Sequence, residues 1–117
     1  MRVFVLDDSD ERLRIFRSKL IGHTVITAKT VSEAISALGK DGPFEYIFLD
    51  HDLADQTMVP SGPGTGYEVA QWLAQHPEKQ APNIILHSFN PDGRKAMASA
   101  LPKAQESPGA WLFLGNK

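Results

Sequence analysis

The 117-residue chain has no cysteine, which excludes disulfides and thiol chemistry. That absence agrees with a reducing compartment, and a cytoplasmic location is expected. Long hydrophobic runs are also missing. The opening MRVFVLDD holds an apolar stretch too short for a signal peptide or a membrane span, so no membrane contact is expected. Basic runs are absent as well: 12 Lys and Arg stand against 14 Asp and Glu, for a formal net charge of −2. Gripping nucleic acid without regard to sequence needs a basic face. No extended nucleic-acid groove is therefore expected, while a small local phosphate pocket remains compatible with this charge. There is no repeat and no low-complexity tract. The length suits a single domain over residues 1–117 with one core.

What is present is a rhythm of short apolar runs: Val3-Phe4-Val5-Leu6, Tyr46-Ile47-Phe48-Leu49, Ile84-Ile85-Leu86 and Trp111-Leu112-Phe113-Leu114. Each is continuous, as in strands covered on both faces of a parallel sheet. Thr24-Val25-Ile26-Thr27 is weaker and reads as an edge strand. Helical spacing fills the intervals at 10–21, 31–39, 66–75 and 91–100. Thr30 with Glu33, and Thr65 with Glu68, have the form of capping boxes. Asn90 followed by Pro91 reads as an N-cap and first helical position. The resulting βαβαβαβαβ order predicts an α/β doubly wound parallel sheet with helices on both faces. Trp111–Leu114 is taken as the fifth strand, so the last helix is missing. Trp111 and Phe113 then either support a homodimer through the fifth-strand side or, for Trp111, complete the core.

Asp7 and Asp8 directly follow the first strand, and Asp50 ends the third. Parallel neighbouring strands bring both ends to one edge. Three carboxylates crowded there repel and raise one another's pKa unless a cation neutralises them. A hard divalent ion such as Mg²⁺ is the simplest neutraliser. The plainer reading makes Asp8 or Ser9 a helix N-cap and Asp50 a turn residue, which leaves the coincidence of three acids unexplained. Asp52 shares a side with Asp50 if the strand continues, and His51 then points elsewhere. The stretch 51–64, HDLADQTMVPSGPG, is long for a strand–helix link and leaves the edge where open α/β sheets bind ligands. It reads as a lid or binding loop, or as an inert insertion.

A second strand-end cluster is His87-Ser88-Phe89-Asn90-Pro91-Asp92-Gly93-Arg94. His87 has a reference pKa suited to acid–base work, though a structural bond to a carboxylate is the competing reading. Ser88 can donate a hydroxyl hydrogen bond. Asn90 opens a helix whose free N–H groups can hold a phosphate, unless it only caps. Arg94, in the first turn, either reaches that ligand or stays in solvent. Gly62-Pro63-Gly64-Thr65-Gly66 has no following lysine and lacks the spacing of a P-loop or dinucleotide fingerprint. His23 and His76 lie away from this edge.

The acids at 7, 8 and 50 resemble the receiver domain of bacterial response regulators. The resemblance implies the flavodoxin-like strand order 2-1-3-4-5. It implies Asp50 as nucleophile, Asp8 with Asp7 as Mg²⁺ ligands, and the Asp52 carbonyl as a further ligand. Receivers carry Thr or Ser at the end of the fourth strand, where His87 stands, with Ser88 one residue later. They also carry Lys then Pro at the end of the fifth strand. Alignment through Gly109-Ala110 puts Asn116 at the lysine position, beside Lys117. The chain is more closely similar to a small divergent receiver-like group predicted to process or sense cyclic phosphates, including RNA ends. The shared pattern is Leu49-Asp50-His51-Asp52-Leu53, Gly64-Thr65-Gly66 and His87 through Gly93. That likeness implies Asp50, His51 and His87 as catalytic residues. It implies Ser88, Asn90 and Arg94 as phosphate ligands, Asp7, Asp8, Asp50 and Asp52 as the Mg²⁺ site, and a phosphate-containing small molecule or RNA end as partner. The alternatives are a phosphoacceptor regulator modified on Asp50 and a non-catalytic interaction module.

Overall fold

Apolar β-branched and aromatic runs form strands here because both of their faces find cover. In a computed structural model describing residues 1–53 and 57–112, the elements follow the expected alternation. They are β1 (Arg2–Leu6), α1 (Asp10–Lys19), β2 (Thr24–Ala28), α2 (Val31–Lys40), β3 (Tyr46–Leu49), α3 (Gly66–Gln75), β4 (Asn83–Leu86), α4 (Pro91–Ala100) and β5 (Gln105–Glu106). All strand pairs are parallel and the order is β2-β1-β3-β4-β5.

Side chains alternate across the sheet. Val3, Val5 and Phe48 meet Leu13 and Phe16 of α1 on one face. Phe4, Leu6, Ile47, Leu49, Ile84 and Leu86 meet α2, α3 and α4 on the other, through residues such as Ala34, Leu38, Val69, Leu73 and Met97. Each fully buried side chain of this size contributes about 1.5–3 kcal/mol relative to exposure.

The helix starts show which caps operate. Ser9 accepts from the Arg12 N–H, Thr30 from Glu33 and Asn90 from Gly93, at 3.2, 3.2 and 3.0 Å. The capping box expected at Thr65 does not form. Its hydroxyl turns back to the Gly62 carbonyl at 2.7 Å, and Glu68 accepts instead from the Gly64 N–H. The turn before α3 satisfies these groups within itself.

The fifth strand requires a correction. It is Gln105–Glu106, paired with Ile85 and Leu86, and both of its residues are exposed. Ala110–Leu112 is instead a turn of 3₁₀ helix, entered through Pro108 and Gly109. Trp111 is buried and packs with Phe16 on the α1 face, so it completes the core. An apolar run signals burial, and here burial comes from packing over α1 rather than from joining the sheet. Phe113, Leu114, Asn116 and Lys117 lie outside the described residues. Because β5 ends at Glu106, the residues at the lysine–proline position of receivers are Ser107 and Pro108, not Asn116 and its neighbour. No helix among the described residues is long and apolar enough to cross a membrane.

Candidate functional site

Register builds the site. Leu6, Leu49 and Leu86 lie level across β1, β3 and β4, so the next residues emerge together at the C-terminal edge. Backbone bonds from Asp50 to Leu6 at 3.0 Å and from His87 to Leu49 at 3.1 Å continue the ladder by one step. Parity then sends Asp7, Asp50 and His87 to the α1 face, and His51 and Ser88 to the other.

On the α1 face a buried ion network forms. Oδ2 of Asp7 accepts from His87 Nε2 at 2.9 Å, and its two oxygens receive a bidentate Arg12 fork at 2.8 and 2.8 Å. The Ser9 N–H donates to it as well, at 2.9 Å. Burial works to raise the Asp7 pKa, yet the His87 and Arg12 hydrogen bonds outweigh it, so Asp7 lies below the usual carboxylate range. The ionised carboxylate can only accept, so Nε2 of His87 carries the hydrogen of this bond. Its Nδ1 is buried without a hydrogen-bond partner among the described residues, inside a box of Phe16, Phe48 and Trp111 rings. The same Arg12 guanidinium reaches Asp50 at 3.3 Å and Asp8 at 3.5 Å, and lies 5.2 Å from the centre of the Trp111 ring. Its pKa is raised, chiefly by the Asp7 bond. Asp50 differs. Burial pushes its carboxyl up to about 6, with repulsion from Asp7 adding to the shift and His87 and Arg12 opposing it.

On the other face a second network ties down the loop after β3. His51 Nδ1 meets Asp52 Oδ1 at 2.7 Å, and Nε2 meets the Ser61 hydroxyl at 2.8 Å. Asp52 accepts also from the Met58 N–H at 2.7 Å and from Asn90 Nδ2 at 3.0 Å, which in turn donates to the Val59 carbonyl. These bonds hold the Asp52 pKa down against burial, which acts to raise it. Close packing locks the arrangement. A Cβ at Gly93 would fall 2.4 Å from the His51 ring, and one at Gly66 would fall 1.8 Å from the Asp50 carbonyl. The glycine of the Gly64-Thr65-Gly66 motif that matters here is Gly66. It lets α3 start against the Asp50–His51 backbone, with its N–H bonded to the His51 carbonyl at 2.8 Å.

Between the two networks opens a cavity of about 420 Å³, lined on its polar side by Asp8, Ser9, Arg12, Asp50, Asp52 and Ser88. Asp8, Asp50, Asp52 and Ser88 thus meet at one cavity. His51 and His87, expected as acid or base, are fully buried and neither lines it. Asn90 caps α4 and holds the loop. Arg94 turns away from the cavity, to the Ser88 carbonyl at 2.7 Å and to Glu106 at 3.2 Å. Arg12 and Trp111 also line the cavity, outside the residues that the sequence motifs mark. Arg12 left a signal, since it lies four residues after Asp8 across an N-cap serine, the spacing of a helical ion pair.

Oxygens of Asp7 and Asp50 and a nitrogen of His87 lie within 4.8 Å of one another, but a hard cation takes oxygen ligands, so only the carboxylates of this group suit it. Asp7, however, is held by His87 and Arg12 and does not line the cavity; the acids that do are Asp8, Asp50 and Asp52, the last bonded to His51, Met58 and Asn90.

This fold and strand-end acid cluster define a receiver-type domain. Similar solved structures include the phosphorylated cyanobacterial phytochrome response regulator RcpA, at 18% identity and TM-score 0.72, covering 97% of this chain and 88% of that one. The response regulator TrrA from Thermotoga maritima, in complex with Mg²⁺-BeF, matches at 22% identity and TM-score 0.71, covering 96% and 89%. The Mn²⁺-bound response regulator Rcp1 matches at 18% identity and TM-score 0.69, covering 97% and 88%. At these identities the likeness concerns the fold. No curated protein matches the sequence. The chain belongs to the Cyclic-phosphate processing Receiver domain family, whose model matches residues 1–103.

Proposed function

We propose that the chain is a phosphate-recognising receiver domain for Mg²⁺-dependent processing or sensing of cyclic phosphates, as cyclic nucleotides or 2′,3′-cyclic phosphate ends of RNA. The observation that carries the reading is Asp50. Its carboxyl faces the same cavity as Asp8, Arg12 and Ser88 and has a pKa raised to about 6. A buried carboxylate held near its ionisation point gains from a divalent neighbour. Asp8, Asp50 and the Asp52 carbonyl would hold Mg²⁺, which when bound polarises a phosphate oxygen and screens its charge.

The chain's own groups do the rest. The Ser88 hydroxyl oxygen accepts from the Asn90 N–H at 3.1 Å, which leaves its hydrogen to donate to a phosphate oxygen. Arg12, anchored on Asp7, presents positive charge to the same cavity. His87 acts through Asp7 and His51 through Asp52, as positioning residues behind the cavity wall.

The test is a panel of cyclic mononucleotides and RNA with 2′,3′-cyclic phosphate ends, with Mg²⁺ or with EDTA, read by calorimetric binding and product chromatography. Wild type should bind or open at least one ligand class only with Mg²⁺, and Asp50→Asn should lose the effect. Equal behaviour of the two proteins, or no ligand bound, refutes the reading. The alternative, phosphoryl transfer to Asp50, draws on the position of that residue at the end of β3. Ser107-Pro108 at the end of β5 speaks against it, because it leaves the receiver lysine without a counterpart there. Covalent addition of a phosphoryl group on incubation with acetyl phosphate, seen by intact mass, would favour it.

A further inference from the structure

Phe89 stands apart within its segment. It lies between Ser88, which faces the cavity, and Asn90, which caps α4, yet it is 55% exposed. Leaving much of a phenylalanine ring in water forgoes hydrophobic stabilisation. The ring is nonetheless held in place. It stands edge-on to Trp111 at 5.3 Å and 79°. It also rests on Gly109, whose φ is +71° and where a Cβ would come within 3.2 Å of the ring. Trp111 is fixed in turn against His87, at 5.5 Å and 85°.

Met58 lines the same cavity from the loop after β3 and is 62% exposed. Its φ of 52° is a conformation that non-glycine residues rarely adopt, and strain of this kind concentrates at ligand clamps. The Asp52 carboxylate enforces it by accepting the Met58 N–H at 2.7 Å. The cavity lining therefore combines carboxylates, Arg12 and Ser88 with the exposed apolar side chains of Phe89 and Met58.

We propose that Phe89, with Met58, forms a stacking subsite for the base of a nucleotide whose phosphate enters the same cavity beside Asp8, Arg12 and Ser88. The inference rests on the cyclic-phosphate reading and narrows it to ligands that carry a base. An aromatic face recognises any base through its π-surface, and a thioether packs well against aromatic rings. The cavity volume of about 420 Å³ falls within the ~300–1,000 Å³ typical of small-ligand sites. Recognition by stacking predicts tolerance of purine and pyrimidine alike.

The test measures calorimetric binding to the full chain with Mg²⁺ for adenosine and uridine 2′,3′-cyclic phosphates and for base-free 1-O-methylribose 2,3-cyclic phosphate. Wild type should bind both nucleoside probes about 10-fold or more tighter than the base-free probe. Phe89→Ala should bring the nucleoside probes down to the base-free level, and Phe89→Trp should restore them, with circular dichroism confirming the fold of each variant. If the base-free probe binds wild type as tightly as the nucleosides, the stacking subsite is refuted while the phosphate reading stands. If Phe89→Ala weakens all probes equally, or none, the subsite is likewise refuted. Failure of every probe to bind refutes the subsite, and the wider panel of cyclic mononucleotides and RNA ends then decides the phosphate reading by itself.

Discussion

Two histidine–aspartate pairs leave the same sheet edge on opposite faces, and their surroundings give them different roles. His87 and Asp7 belong to an ion network that continues through Arg12 to Asp50 and Asp8. His51 and Asp52 belong to a hydrogen-bonded framework that continues through Ser61, Asn90 and the backbone of residues 58 and 59. The first sets the charge of the cavity, and the second sets the position of its lip. The residue types are the same. The difference lies in what occupies the second ring nitrogen of each histidine: Nε2 of His51 meets Ser61, while Nδ1 of His87 lies among aromatic rings.

Cutting the ion network should have the largest effect. Asp7→Ala leaves Arg12 and buried His87 without their carboxylate, and should cost about 3–5 kcal/mol in chemical denaturation. His51→Ala empties a fully buried site and frees Asp52, for roughly 2–4 kcal/mol. Its distinctive mark should be faster amide exchange at residues 57–61 with little change around Asp7. Equal exchange in both regions would merge the two networks into one.

Asp50 sharpens the contrast through pH. Its carboxyl titrates near 6 in the folded chain, against about 3.9 when unfolded. Between those values the folded state holds the extra proton, so this group's contribution to stability falls as pH rises and is least above 6. Asp7 has the opposite sign. Its lowered pKa supplies stability above the unfolded value that is lost as pH falls into the acid range. Asp50→Asn should therefore stabilise the metal-free protein by about 1–2 kcal/mol at pH 7.5 and have almost no effect at pH 4. Thermal melts across that range check it, and Mg²⁺ should raise the midpoint of wild type alone. The smallest effect is expected from Ser61→Ala, about 1 kcal/mol or less, confined to amide exchange in the loop.

Much of the fold was legible because its signals are local. The helices at 10–19, 31–40, 66–75 and 91–100 follow the apolar spacing and cap residues, and four of the five strands coincide with their runs. The fifth failed for a physical reason. Gln105 and Glu106 form a two-residue edge with no burial to demand apolar side chains, whereas Trp111 is apolar because it closes the α1 face. The acids at 7, 8 and 50 were legible from their strand-end positions. The arginine among them left only its four-residue spacing from Asp8, because a charge in a helical first turn looks the same in solvent as in an ion network.

By itself, the sequence determined the alternation of elements, the edge at which polar residues gather and the chemical types gathered there, since periodicity and strand ends act over a few residues. Only the tertiary structure decided what each polar residue faces. One residue of register separates Asp50 from His51, and parity sends one to Arg12 and the other to the loop. Burial then decided the rest. It raises the Asp50 pKa, it shuts His51 and His87 behind the cavity wall, and it leaves the Phe89 ring exposed.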